Sequence, residues 1–295
     1  MGHQAALIYN PASGSGKPKE KQLPHLLERL HALGIEAHPT PTASPGHATE
    51  LAREAVREGA SLVIGWGGDG TINEMAAGML GSSTPLGVLP GGTVNVFARA
   101  TGIPRSLEAA CRALGEAQPQ VVPVGMAGER PFLLMAGIGL DGEVVHRLDP
   151  AFKSRFGKSA FWLLGFRLLA SYPFLPFTIR VDGKEIEGTG LVAGKVQIYG
   201  PGYVITPDAR LAEPWLDVIV FQGRGALDYL RYLVGVAAGF HLSFKDVVHL
   251  RAARLEVESE HGQHIQLDGE PADKVPVRLR VRPDALTVLL PRSSR

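Results

Sequence analysis

The chain has 295 residues, is 45% hydrophobic and carries a formal net charge of +1. That length can bury one large core or two smaller ones, and the balanced charge excludes a general binder of nucleic-acid phosphates. The single cysteine, Cys111, excludes a disulfide framework and a cysteine-based zinc site, and it suits a reducing compartment.

The first third alternates strand and helix signals. Ala5–Tyr9 predicts a strand, and Leu23, Leu26, Leu27 and Leu30 predict a helix over 19–33 closed by Gly34. A weak strand at Ile35–His38, a helix at His47–Glu58 and a buried strand at Ser61–Gly65 follow. Thr71 and Glu74 have the spacing of a capping box at the start of the next helix. Leu86–Leu89 predicts a strand, and Thr93–Ala100 and Leu107–Leu114 predict helices, the latter capped by Ser106 and stopped by Gly115. Strands regularly separated by helices imply a doubly wound α/β layer with parallel pairing.

After Gln118 strand signals follow one another: Val121–Val124, Phe132–Ala136, Thr178–Val181, Leu191–Ile198, Leu216–Phe221, Val248–Ser259 and Val275–Val281. Helical stretches interrupt them near Ser159–Ser171 and Leu227–Gly239. The expected organisation is an α/β domain of residues 1–119 plus 285–295, with Ala285–Leu290 returning to it, and a β-rich domain of 120–284. The start MGHQAALIYN is too short and polar for a signal peptide. The longest apolar runs fall short of the roughly 18 residues a spanning helix needs, one being interrupted by Arg167 and the other preceded by Arg231. A cytoplasmic protein that touches membranes only peripherally is the expectation. Lys153, Arg155, Lys158 and Arg167 lie among Phe156, Phe161, Trp162 and Phe166, which suits an anionic bilayer, although ordinary packing across the second domain is the preferred reading.

The strongest chemical signal is Gly67-Gly68-Asp69-Gly70-Thr71, between a buried strand and a helix. Glycines let the backbone approach a phosphate, and the N–H groups at a helix start suit an anion. Asp69 beside that anion makes sense if Mg²⁺ or a hydroxyl bridges the two. Gly65-x-Gly67-x-x-Gly70 and Gly137-x-Gly139-x-x-Gly142 both match the dinucleotide pattern, which shows how little that pattern alone specifies. Asn10-Pro11-Ala12-Ser13-Gly14-Ser15-Gly16-Lys17 resembles a Walker A loop only at Gly16-Lys17, and Pro18 stands where the metal-binding hydroxyl belongs. Pro90-Gly91-Gly92-Thr93-x-Asn95 again follows a strand and opens a helix. Three such turns at the ends of parallel strands would meet in one crevice. No G-x-S-x-G elbow supports a serine hydrolase, the ten histidines form no metal pattern, and His261 and His264 are expected in an exposed turn.

NPASGSGK, TASPGHA, GGDGTINE and PGGTVNVFA, in this order, closely resemble the diacylglycerol kinase catalytic-domain family, which includes bacterial lipid kinases, sphingosine kinases and ceramide kinases. AGIGLDGEV at Ala136–Val144, ITPDARL at Ile205–Leu211 and LDGEP at Leu267–Pro271 extend the resemblance over nearly the whole chain. It implies an N-terminal α/β nucleotide-binding domain, a C-terminal β-sandwich and an active site in the cleft between them. It implies ATP contacts at Asn10, Pro11, Ala12, Ser13, Gly14, Thr42, Gly68, Asp69, Gly70, Thr71, Ile72, Asn73, Glu74, Thr93 and Glu270. Asp268 matches the general base that would take the proton of a lipid hydroxyl, while Asp69 would order Mg²⁺ around the phosphates. Without the resemblance, Asp268-Gly269 reads as a hairpin turn. The implied partners are a lipid at the membrane surface and, as an open option, a second copy of the chain.

The chain departs from the family pattern in places. Pro123-Val124-Gly125 lacks the usual carboxylate, and Gly92-Thr93-Val94-Asn95-Val96-Phe97 lacks a second acidic residue. A frequent Gly-Asn pair is Gly194-Lys195, and the Leu-Asp-Asp-Gly-Leu segment that holds a structural Mg²⁺ is Leu211-Ala212-Glu213-Pro214-Trp215. Glu213, with the carbonyls of Arg210 and Trp215, is the candidate ligand set. Two rivals stand beside the lipid kinase: a soluble-substrate kinase of the NAD kinase type, which also uses Gly-Gly-Asp-Gly-Thr, and a non-catalytic binding homologue.

Overall fold

The computed structural model describes residues 3–14, 18–148, 164–165, 167–200 and 202–292. The chain forms two compact units, 1–124 with 283–295, and 125–282.

Unit 1 is an α/β domain. Its elements are β1 (His3–Tyr9), α1 (Lys19–Ala32), β2 (Ile35–Pro41), α2 (His47–Arg57), β3 (Leu62–Gly67), α3 (Asp69–Met79), β4 (Leu86–Pro90), α4 (Val96–Ala100) and α5 (Leu107–Glu116). The sheet runs β2-β1-β3-β4, all parallel, and the C-terminal half of β18 (Val277–Leu290) joins β4 in parallel through Val288. β3 and β4 are buried throughout, as strands covered on both faces must be. From β1 the chain moves to β2 on one side and to β3 on the other. Ligands of open α/β sheets bind where the strand order reverses in this way.

Two helix starts differ from the sequence expectation. Glu74 does not close a capping box with Thr71, because α3 already begins at Asp69, with Gly68 as its N-cap. The Glu74 carboxylate instead accepts the N–H groups of Gly46 (2.9 Å) and Ala48 (3.2 Å), and so caps α2. Helix α4 begins three residues after Thr93, since Asn95 takes a left-handed conformation (φ 52°) and ties its side chain to both polar groups of the Gly92 backbone. Ser106 caps α5 as expected, accepting from Ala109 N at 3.3 Å, but the helix runs on through Gly115.

Unit 2 is an antiparallel β-sandwich. One sheet has the order β14 (Val247–Ala252), β13 (Leu216–Phe221), β10 (Gly190–Gly194), β7 (Met135–Ile138), β16 (His264–Leu267) and β17 (Glu270–Lys274). The other places the N-terminal half of β18 beside β15 (Arg254–Glu258), β8 (Phe177–Val181) and β9 (Lys184–Gly188). Between them Ile138, Leu191, Ala193, Val218, Val220 and Ile265 pack against Phe177, Ile179, Leu255, Val257 and Leu279. The expected single strand over 248–259 is two strands in different sheets, the switch falling at Ala253. The expected 132–136 strand likewise divides, into β6 (Arg130–Phe132) and β7, with β6 paired to β5 (Gln118–Ala127). The run over 191–198 ends as β10, and Ile198–Tyr199 forms a small ribbon, β11, with β12 (Tyr203–Val204). Helix α6 (Leu140–Arg147) follows β7, and α7 (Ala226–Ala238) follows β13. Of the expected helix near 159–171, residues 159–163 and 166 lie outside the described residues, as do Lys153, Arg155, Phe156 and Lys158. Among the described residues no helix is long and apolar enough to cross a membrane.

Candidate active site

The three glycine turns of unit 1 meet. Only Gly68 separates β3 from α3, so the first N–H groups of α3 emerge at the strand end. Gly91 N donates to Gly67 O at 2.7 Å, and a Cβ on Gly92 would lie 2.6 Å from the Gly68 Cα. Two backbones approach here at a distance that only glycine permits. The first turn joins from the other side. Asn10 Oδ1 accepts from Ala12 N (2.9 Å), Asn10 Nδ2 donates to Thr71 Oγ1 (3.3 Å), and Ser13 Oγ donates to Gly91 O (3.3 Å). Gly14 has φ 87°, and a Cβ there would meet Gly91 O at 2.5 Å. Thr42, just after β2, donates its N–H to Tyr9 O at 2.8 Å and so sits at the same sheet end. Pro11 is half-buried, and Ala12 and Thr93 are exposed on these turns. Gly70 and Asn73 are half-buried in α3, whereas Ile72 is buried in the core.

Asp69 has a structural partner that its position in sequence did not reveal. Its Oδ1 accepts from Phe97 N at 2.9 Å, at the start of α4. Asp69 itself is half-buried at the first position of α3. Lys19 was missed as well. Only 4% exposed, it donates Nζ to Ser13 O and Ser13 Oγ (both 2.6 Å) and to Gly91 O (3.2 Å), clasping two of the turns. Burial lowers its amine to about 8, with Glu20 opposing. The sequence cue pointed to Lys17, which lies outside the described residues.

In unit 2, Asp268-Gly269 is the two-residue turn between β16 and β17, with φ 54° and 82°. Positive φ at both positions is the geometry of a tight hairpin. The Asp268 carboxylate is firmly placed: Oδ2 accepts from Leu133 N (2.7 Å), and Oδ1 from Leu134 N and Met135 N (both 2.9 Å). Glu270 opens β17 and is exposed. The neighbouring side chain Gln266 donates Nε2 to Asp141 Oδ2 at 2.9 Å and accepts from Gly269 N at 2.7 Å. Asp141 also accepts from the Tyr199 hydroxyl. Burial pushes the Asp141 carboxyl up, against the lowering effect of these two hydrogen bonds. His264, expected in an exposed turn, is half-buried at the start of β16, with Nδ1 2.6 Å from Glu143 Oε2.

Asp141 stands at the wall of a cavity holding about 850 Å³ of empty space including its mouth. The remaining lining is almost wholly apolar, with Ile138, Val144, Val192, Ile205, Phe221 and Leu233 among its members. Tyr229, whose hydroxyl meets Thr189 Oγ1 at 3.0 Å, closes part of it with its ring.

Residues 4–127 match the model of the diacylglycerol kinase catalytic domain, and residues 135–290 match that of the YegS C-terminal NAD kinase beta sandwich-like domain. A Bacillus subtilis (strain 168) protein named diacylglycerol kinase is 31% identical over 280 residues, covering 92% of this chain and 91% of its own. The chain belongs to the diacylglycerol kinase catalytic-domain family. A diacylglycerol kinase of Staphylococcus aureus (strain MRSA252) is 29% identical, over 94% of this chain and 89% of its own. A crystal structure described as a diacylglycerol kinase of Bacillus anthracis str. Sterne superposes with a TM-score of 0.82 at 25% identity, covering 99% of each chain. The protein is thus a kinase of this family.

For a diacylglycerol kinase family member, the expected structural Mg²⁺ ligands are arranged unexpectedly. The carbonyls of Arg210, Glu213 and Trp215 do converge, but on the ammonium of Lys195. A divalent cation does not fit beside it. Asp208, Asp217 and His249 form another cluster in unit 2. Its members are already matched, His249 Nε2 with Asp217 Oδ1 at 2.6 Å and Arg251 Nη2 with Asp208 Oδ2 at 2.9 Å, so it reads as an ion-pair network.

Proposed function

We propose that this kinase transfers the γ-phosphoryl group of ATP to the hydroxyl of a membrane-derived lipid such as diacylglycerol. The observation that carries the reading is the apolar cavity lined in part by Asp141, whose carboxylate is linked through Gln266 to the turn bearing Asp268. Such a site suits an acceptor with a long apolar body and a hydroxyl at one end. In this reading the nucleotide phosphates lie on the turns at Asn10–Gly14, Gly68–Thr71 and Gly92–Thr93, with Thr42 beside them. Mg²⁺, held by Asp69, would neutralise phosphate charge when bound. Asp268 accepts the hydroxyl proton as the new oxygen–phosphorus bond forms and the bond to the leaving ADP oxygen breaks. The three N–H donors hold its carboxylate in one orientation. Because the acceptor is a bilayer lipid, the enzyme works at a membrane surface as a peripheral visitor.

A second reading, phosphorylation of NAD, draws support from the sandwich's likeness to NAD kinase. The cavity speaks against it, since a dinucleotide needs many polar partners and this lining offers few. Leu233→Trp tests the choice. Leu233 is half-buried on α7 and lines the cavity. The larger ring fills space that the lipid body would need, so KM for dispersed diacylglycerol is expected to rise about 10-fold, in line with a few lost methylene contacts. KM for ATP should stay at the wild-type value. An unchanged KM for diacylglycerol would remove the cavity from the account.

A further inference from the structure

Lys195 follows β10 with no exposed surface at all, a rare place for an ammonium. Its Nζ donates to the carbonyls of Arg210 and Trp215, each at 3.4 Å, and to that of Glu213. All three belong to the loop that leads into β13. An ammonium has three donors and no acceptor, so the match is one to one. Converging backbone carbonyls are also how proteins hold a hard cation. A divalent ion at the same point would face carbonyls already engaged and a positive charge at contact distance.

The same loop is drawn against the segment that follows β10. Thr206 Oγ1 donates to Val196 O at 2.8 Å, and a Cβ on Gly194 would lie 2.4 Å from Thr206 Oγ1. Between Lys195 and Thr206 lie Tyr199, Tyr203 and Ile205, which form one wall of the apolar cavity. Two departures from the family pattern, separate in sequence, therefore meet in space. The lysine at Gly194-Lys195 occupies the point on which the altered 211–215 segment converges.

We propose that the Lys195 ammonium is the resident cation of this loop in place of a divalent metal, and that it fixes the cavity wall formed by Tyr199, Tyr203 and Ile205. Only the use of that wall rests on the lipid reading; the cation assignment stands without it. Three carbonyl acceptors converge on its three hydrogens, which is the arrangement that suits the charged ammonium form.

The test is thermal unfolding of the nucleotide-free protein, so its outcome does not depend on which substrate is phosphorylated. Wild-type Tm is expected to differ by less than about 1 °C between EDTA, millimolar MgCl₂ and millimolar CaCl₂, whereas a ligand that bound only the folded state would raise it. Lys195→Asn opens the carbonyl cradle. In EDTA it should lose roughly 5 °C or more, and Mg²⁺ or Ca²⁺ should restore much of that loss. A wild-type Tm that rises several degrees with either cation would overturn the proposal. So would a K195N protein as stable as wild type in EDTA, or a destabilised one that neither cation restores. Should K195N fail to fold in any buffer, the wild-type comparison decides alone.

Discussion

Asp69→Asn is expected to lower phosphoryl transfer by about 10²-fold or more while leaving Tm close to wild type. The two halves of this expectation have different origins. The rate falls because the charge at the start of α3 is gone, and with it the group that would position a cation against the phosphates. The fold survives because the carboxamide oxygen can still accept from Phe97 N, the bond that Asp69 Oδ1 makes at 2.9 Å. Asp69→Ala separates the two roles, since it also removes the cap of α4 and should cost about 1 kcal/mol of stability. Turnover at saturating ATP and Tm, measured on both variants, check the argument. Near-normal turnover in Asp69→Asn would end the metal-positioning role.

Asp268→Asn should lower kcat by roughly 10²–10⁴-fold, the range for general-base catalysis, with KM for ATP nearly unchanged. The structure adds a cost that the substitution does not carry on paper. Asp268 Oδ1 accepts two backbone N–H groups and Oδ2 accepts the third, from Leu133. A carboxamide can keep the pair, but its NH₂ then faces Leu133 N–H. Leaving that donor unmatched should cost about 1–3 kcal/mol, a fall in Tm of several degrees. Assays well below the lowered Tm distinguish a missing proton acceptor from a loosened turn. If kcat recovers to near wild type at low temperature, the role of Asp268 is structural.

The glycine turns were legible because their pattern is local. In each, glycines sit between an apolar run and a helix start, and the reason shows within five or six residues. The change from an α/β domain to a β-sandwich was legible from the change in strand spacing after Gln118. What escaped needed the third dimension. Glu74 looks like a partner for Thr71 because the two share a helix, yet it caps α2, which packs beside that helix. Lys19 sits where a helix pattern begins, and nothing local distinguishes it from a solvated lysine; burial against Ser13 and Gly91 does. Asp141, Tyr199 and Gln266 come from three distant segments, and no spacing rule could join them. The 248–259 run was read as one strand because a switch between sheets leaves no break in hydrophobicity.

The most direct measurement of the central claim is a side-by-side incubation of the purified protein with γ-labelled ATP and Mg²⁺, offered dispersed diacylglycerol in one reaction and NAD in the other. Label is expected in a phosphorylated lipid, dependent on Asp268 and Asp69, and none in the dinucleotide. Label transferred to NAD, with the lipid left unphosphorylated, would contradict it.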